Sequence, residues 1–126
     1  MKVLLSIKPE FVEEIMEGRK KFEYRKNIFK RDDISSIVVY ATKPYGKVVG
    51  EFEIESIIKD CPSNIWKETK QYSGISRKFF NEYFDGRDTG FAIQIKEFIK
   101  YDVPMDLNYF DKKIKAAPQS FCYIEG

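Results

Sequence analysis

A chain of 126 residues with 43% hydrophobic, 16% aromatic and 33% charged residues has the composition of one globular domain rich in Phe and Tyr, large enough to bury about two-thirds of its unfolded surface without disulfides or metal. No apolar run nears the roughly 20 residues of a membrane span, and Met1–Ile7 is too short and too soon charged for a secretion signal, so the cytoplasm is the expected compartment. Histidine is absent and the two cysteines, Cys61 and Cys122, stand far apart, which excludes histidine triads and dyads, His-ligated zinc and a disulfide framework; no cofactor is implied, and only carboxylates such as Asp85 and Asp88 are left as metal ligands.

In chain order, Met1–Ile7 is a short apolar run with β-branched residues, suited to a strand buried on both faces. Pro9 stands at a first helical position, and Phe11, Val12, Ile15 and Met16 recur at helical spacing up to a stop at Gly18. The segment from Gly18 to Arg31 then carries seven basic residues against the single acid Glu23, or +6 in a chain of net charge +2. The remaining residues therefore sum to −4, and the potential is focused at one place, which favours a polyanionic partner there. Arg19, Lys20 and Lys21 also suit the negative end of the preceding helix. Lys20–Arg25 alternates, with Phe22 and Tyr24 on one face and Lys21, Glu23 and Arg25 projecting together on the other.

Ser36–Tyr40 predicts a central strand, and Lys43-Pro44-Tyr45-Gly46-Lys47 a basic turn with a tyrosine at its tip. Val48–Ile58 and Phe91–Phe98 alternate as two long antiparallel strands, with the glutamates of the first on a solvated face. Between them Pro62–Gln71 and Ser76–Phe84 predict two helices joined by Tyr72-Ser73-Gly74-Ile75, with Ser76 as a cap. The second helix has Phe79, Phe80, Tyr83 and Phe84 as its expected inner stripe, and Arg77, Lys78, Asn81 and Glu82 outside. A helix-turn-helix over 63–84, and with it a transcriptional regulator, is one reading of this pair; the second helix is poor in basic and amide groups for that role. The tail predicts a turn at Asp102-Val103-Pro104, irregular chain to Lys115, and a closing strand from Ala116 to Ile124. The order β-α-β-β-β-α-α-β-β is that of an α+β fold, a small and mostly antiparallel barrel with flanking helices.

Ser6-Ile7-Lys8-Pro9, followed by Ile15-x-x-Gly18-x-Lys20-x-x-Glu23-x-Arg25, resembles the signature of ASCH domains, a branch of the PUA-like superfamily, and Pro118-Gln119-Ser120-Phe121 resembles the family's C-terminal strand. The resemblance spans the whole chain, 1–126, with the helical pair at about 62–84 as an insertion. It implies a PUA-like barrel of five to six strands with a cleft walled by the Lys-x-x-Glu-x-Arg strand and used for single-stranded RNA, a nucleotide or a modified nucleobase. In such a cleft Arg25 can grip phosphate or a guanine edge, Glu23 can accept from a base amino group, and Lys20 can contact phosphate or act as a base. Lys8, Tyr45 and Ser120 complete the expected binding set, and Tyr24, Tyr40 or Tyr45 can stack on a base.

Two hydrolytic alternatives accompany the binding reading. One ASCH branch resembles an amidohydrolase of acetylated cytidine that uses a lysine, a threonine nucleophile and a glutamate. Its lysine falls on Lys20, but its threonine position is Glu23 and its glutamate position lies near Ser73, where no acid stands. Ribonuclease activity, also attributed to parts of the family, would use Lys20 as base, with Arg25 stabilising a pentavalent phosphate and Glu23 beside them.

Overall fold

Strand β1 (Lys2–Ile7) pairs in parallel with β3 (Ser36–Ala41), and this parallel pair is the centre about which the other strands run antiparallel. The computed structural model describes residues 1–125. Its six strands form one sheet in the order β2-β5-β4-β3-β1-β6, where β2 is Phe22–Arg25, β4 Lys47–Asp60, β5 Gly90–Met105 and β6 Phe121–Ile124. The sheet curls into a half-barrel, so the expected PUA-like α+β architecture is the one found. Among the described residues no helix is long and apolar enough to cross a membrane.

The continuous apolar runs of β1 and β3 follow from burial on both faces. Val3, Leu5, Ile7, Ile37 and Val39 pack with Val12 and Ile15 of α1 (Pro9–Met16) inside the curl. Leu4, Val38 and Tyr40 meet Val48 and Ile124 on the outside. That second layer is roofed by Tyr101, Met105, Leu107 and Phe110. Leu107–Phe110 is a short helix, α4, in the stretch expected to be irregular.

The Asp102-Val103-Pro104 turn is overturned as well: β5 runs on through it to Met105. Val48 pairs with Met105 and Gly50 with Lys100, so the turn residues are expressed as an irregularity in the ladder instead of a stop. This half of β5 has β4 on one side only, since β2 pairs with residues 91–94, and a proline is tolerated at such an edge.

The helical pair, α2 (Pro62–Thr69) and α3 (Arg77–Tyr83), sits between β4 and β5, with a 3-10 turn at Lys70–Tyr72. Ser76 caps α3 as predicted, its hydroxyl accepting from the Phe79 N–H at 3.1 Å. Ile65, Phe80 and Phe84 pack on Phe22 and Tyr24 of β2 in a separate cluster. The inner stripe expected of α3 is therefore split: Phe80 and Phe84 are buried, whereas Phe79 and Tyr83 are half-exposed.

Candidate functional site

The site is assembled at the edge strand β2. Phe22 and Tyr24 face the helical pair, and Glu23 and Arg25 face the opposite side, as alternation requires. That opposite side is not solvated. The side chains of Lys20, Glu23 and Arg25 retain 1%, 7% and 11% of their exposure. Glu23 and Arg25 project to the same side, and Ser6 of β1, Phe11 of α1 and Ser120 in the approach to β6 meet them and Lys20 there.

Glu23 is shared between two cations. Arg25 donates to its carboxylate at 3.2 Å, and Lys20 Nζ stands 3.6 Å from it. Lys20 also donates to the Ser73 carbonyl at 3.0 Å, and its backbone forms a bridge with Ser73. Gly74, at φ +66°, makes this approach possible, since a Cβ there would lie 2.3 Å from Lys20 Cβ. The Lys20 ammonium is further enclosed by the rings of Tyr24 and Phe11, at 4.7 and 5.5 Å. Burial pulls the Lys20 pKa below the ordinary lysine range, and the neighbouring Glu23 offsets only part of that. Burial also pushes the Tyr24 phenol up to about 12; its hydroxyl is 2.7 Å from that of Thr69.

Arg25 does more than pair with Glu23. One terminal nitrogen also reaches the Ser6 carbonyl at 3.4 Å, and the other donates to the Ser120 carbonyl at 3.1 Å and to Ser120 Oγ at 2.8 Å. The guanidinium thus clasps β2 to β1 and to the chain entering β6, which are otherwise at opposite parts of the sheet. Both fork nitrogens are occupied, so the free bidentate grip expected of Arg25 is not available in this arrangement.

Around this floor opens a cleft of about 570 Å³, of the size of ordinary small-ligand pockets. Lys8, Lys20, Glu23, Arg25 and Ser120 all line it, together with Lys26, Asn27, Thr42 and Gln119. Four basic residues face one acid, and Lys8 and Lys26 are exposed. Tyr45 does not belong to the set: it is 51% exposed and lines a separate hollow with Met16, Lys100 and Pro104. Tyr24 and Tyr40 are buried, at 5% and 6%, with no free ring face for a base. Tyr24 also lines the cleft, buried and with Lys20 Nζ over its ring, and the half-buried aromatic walls are Phe11, Phe79 and Tyr83. Their place was hidden in the sequence because Phe79 and Tyr83 satisfy the same helical stripe as Phe80 and Phe84.

Ser73 does sit beside Lys20, as the amidohydrolase comparison requires of that position, but Glu23 is the one carboxylate among the described residues lining the cleft. The Ser73 hydroxyl is spent on the Ile75 carbonyl at 2.9 Å. The helix-turn-helix reading meets a packed pair: α3 buries Phe80 and Phe84 against the sheet, and its exposed Lys78 is 4.0 Å from Glu82.

The model of the ASCH domain matches residues 5–121. The chain belongs to the ASCH domain family. The ASCH domain-containing ribonuclease of Zymomonas mobilis is 28% identical over 126 residues, covering 96% of this chain and 82% of that protein. Over 89 residues the chain is 36% identical to the large ribosomal subunit protein uL22 of Ureaplasma parvum. It spans only 28% of the length of that relative, and 15% of the ATP synthase subunit alpha of the same species, to which it is 28% identical. Among solved structures, two crystal structures of ZmASCH from Zymomonas mobilis, one of them of a mutant, superpose with TM-scores of 0.89 and 0.88 at 23% and 24% identity. Both cover 98% of this chain and 88% and 87% of theirs. The N-terminal domain of Staphylothermus marinus McrB shares the fold at a TM-score of 0.55 and 14% identity, over 90% of this chain and 81% of that one.

Proposed function

We propose that this ASCH domain binds single-stranded RNA in the cleft above β2. The observation that carries the reading is the convergence of Lys8, Lys20, Arg25 and Lys26 around one buried acid, in a chain whose net charge is only +2. Such segregation draws a polyanion to one mouth and not to the whole surface. The exposed ammonium groups of Lys8 and Lys26 take phosphates. Lys20, Glu23 and Arg25 form the preorganised floor, held by backbone carbonyls from β1, the β6 approach and the helical pair. Ser120, whose oxygen already accepts from Arg25, keeps its hydroxyl proton for a ligand oxygen. The Zymomonas relative named as a ribonuclease supports RNA as the ligand class. Fluorescence anisotropy with short labelled RNAs tests this: affinity should fall with added salt and in Lys8→Ala, and a chain that binds unpaired RNA no better than duplex would refute it.

Cleavage is a second reading, favoured by the buried Lys20. A lysine with a lowered pKa holds a larger share of neutral amine than an ordinary one, and that form can take a proton from a ribose 2′-hydroxyl. That oxygen then bonds to the adjacent phosphorus as the bond to the 5′ oxygen breaks, and the Lys20 ammonium returns its proton to the leaving oxygen, giving a 2′,3′-cyclic phosphate, a 5′ hydroxyl and the neutral amine. Because Lys20 is enclosed by Phe11 and Tyr24, this requires the substrate to part those rings. Gel analysis after long incubation separates the readings: intact RNA leaves a binder, and cyclic-phosphate products lost in Lys20→Met establish the enzyme.

A further inference from the structure

Helix α3 carries two rings that the core does not use. Phe79 and Tyr83 are one helical turn apart and so share a side of the helix; both are half-exposed and both line the cleft. Their planes lie within 10° of parallel, with centroids 6.5 Å apart. Buried rings nearby meet edge to face, as in Tyr24 against Phe80 at 86° and against Phe84 at 85°. Offset-parallel contact at this separation is, like edge-to-face contact, an arrangement that aromatic quadrupoles favour, and what sets this pair apart is that both of its rings are half-exposed in the cleft. Both rings are held by edge-to-face contacts: Phe79 meets Phe11, another ring of the cleft, at 5.1 Å, and Tyr83 meets the buried Phe84 at 4.9 Å.

Each ring also has an ammonium over it. Lys8 Nζ is 5.1 Å from the centroid of Phe79, and Lys26 Nζ is 4.9 Å from that of Tyr83. Among the described residues neither lysine is within 4.0 Å of a carboxylate. A ring and a cation without a carboxylate partner are the elements of single-strand recognition: the ammonium leaves the ring for a phosphate and the ring takes a base. Four basic residues against one acid in the lining favour a strand that carries phosphates over a peptide, and a duplex keeps its bases stacked on one another.

We infer that Phe79 and Tyr83 form a stacking platform for unpaired nucleobases of an RNA strand whose phosphates meet Lys8 and Lys26. The inference rests on the RNA reading above and adds that the bases, not only the backbone, are held. It follows that the site takes single-stranded segments and prefers bases of large stacking area.

The test compares binding of a short single-stranded RNA with that of an abasic strand of equal length and charge. The unmodified protein should bind the base-bearing strand more tightly. Phe79→Leu and Tyr83→Leu keep apolar bulk in place and should each weaken that binding by about 5- to 150-fold, while leaving abasic binding near its starting value. Leucine variants that bind the base-bearing strand as tightly as the unmodified protein overturn the platform and leave the RNA reading standing. Failure of the unmodified protein to bind either strand overturns both. Should a leucine variant misfold, Phe79→Trp in a Trp66→Phe background gives a direct readout. Quenching of its fluorescence by the base-bearing strand and not by the abasic one supports stacking; binding without quenching refutes it.

Discussion

Lys20 is the side chain whose chemistry depends most on its surroundings. A buried ammonium is disfavoured, so the folded chain releases the Lys20 proton more readily than the unfolded chain, where the ordinary value of 10.5 applies. Between the lowered folded value and 10.5 the unfolded state holds more protons, and stability rises with pH through that window. Tyr24 opposes this at higher pH, because its phenol, ordinarily at 10.0, holds its proton to about 12 when folded. Urea unfolding between neutrality and pH 10 should therefore show a rising contribution from Lys20 that is absent in Lys20→Met; parallel pH profiles for the two proteins would show that Lys20 ionises as if solvated. The sequence identified Lys20, Glu23 and Arg25 as a set. It could not show their burial, because alternation along β2 separates two faces without revealing that different elements cover each of them.

At the level of elements, two contacts hold the site together. Gly74 lets the loop before α3 rest directly on Lys20, and its φ of +66° lies where a side chain is strained. Gly74→Ala should cost about 1–3 kcal/mol in backbone strain, with further loss from displacing Lys20; chemical denaturation measures the total. Arg25 is the second contact, tying β2 to Ser6 and Ser120 through a planar fork. Lysine presents a single ammonium and cannot reproduce that fork. Hydrogen exchange in β6 should therefore quicken in both Arg25→Ala and Arg25→Lys, and full protection in the lysine variant would mean that charge alone closes the barrel. Most elements were legible because their signals were local: Pro9 and Gly18 bound α1, and Ser76 caps α3. The end of β5 was not, since a Val-Pro pair marks a turn only when no neighbouring strand holds the chain, and here Val48 pairs beyond it with Met105. Tyr45 was misplaced for a related reason: a loop tip has no periodicity from which to read the face it will adopt.

Across the whole molecule, charge is nearly balanced and unevenly placed, 22 basic residues against 20 acidic. Many of the cations are already spoken for: Arg19 pairs with Glu14, Arg31 with Asp33, and Lys2 with Glu51. The glutamates of β4 add repulsion on another face, so a polyanion gains little from general attraction. A protein binding through a broad basic surface would release many counterions, and its affinity would fall steeply with salt. Here the exposed unpaired cations of the cleft are Lys8 and Lys26. A logarithmic plot of RNA affinity against salt should have a shallow slope, of roughly −0.7 for each phosphate neutralised on a single strand. Removing either lysine should reduce that slope by about one contact, whatever the RNA sequence. Phe79→Leu should lower affinity and leave the slope unchanged, because stacking releases no ions. A steep slope, insensitive to Lys8→Ala and Lys26→Ala, would place the RNA elsewhere on the protein.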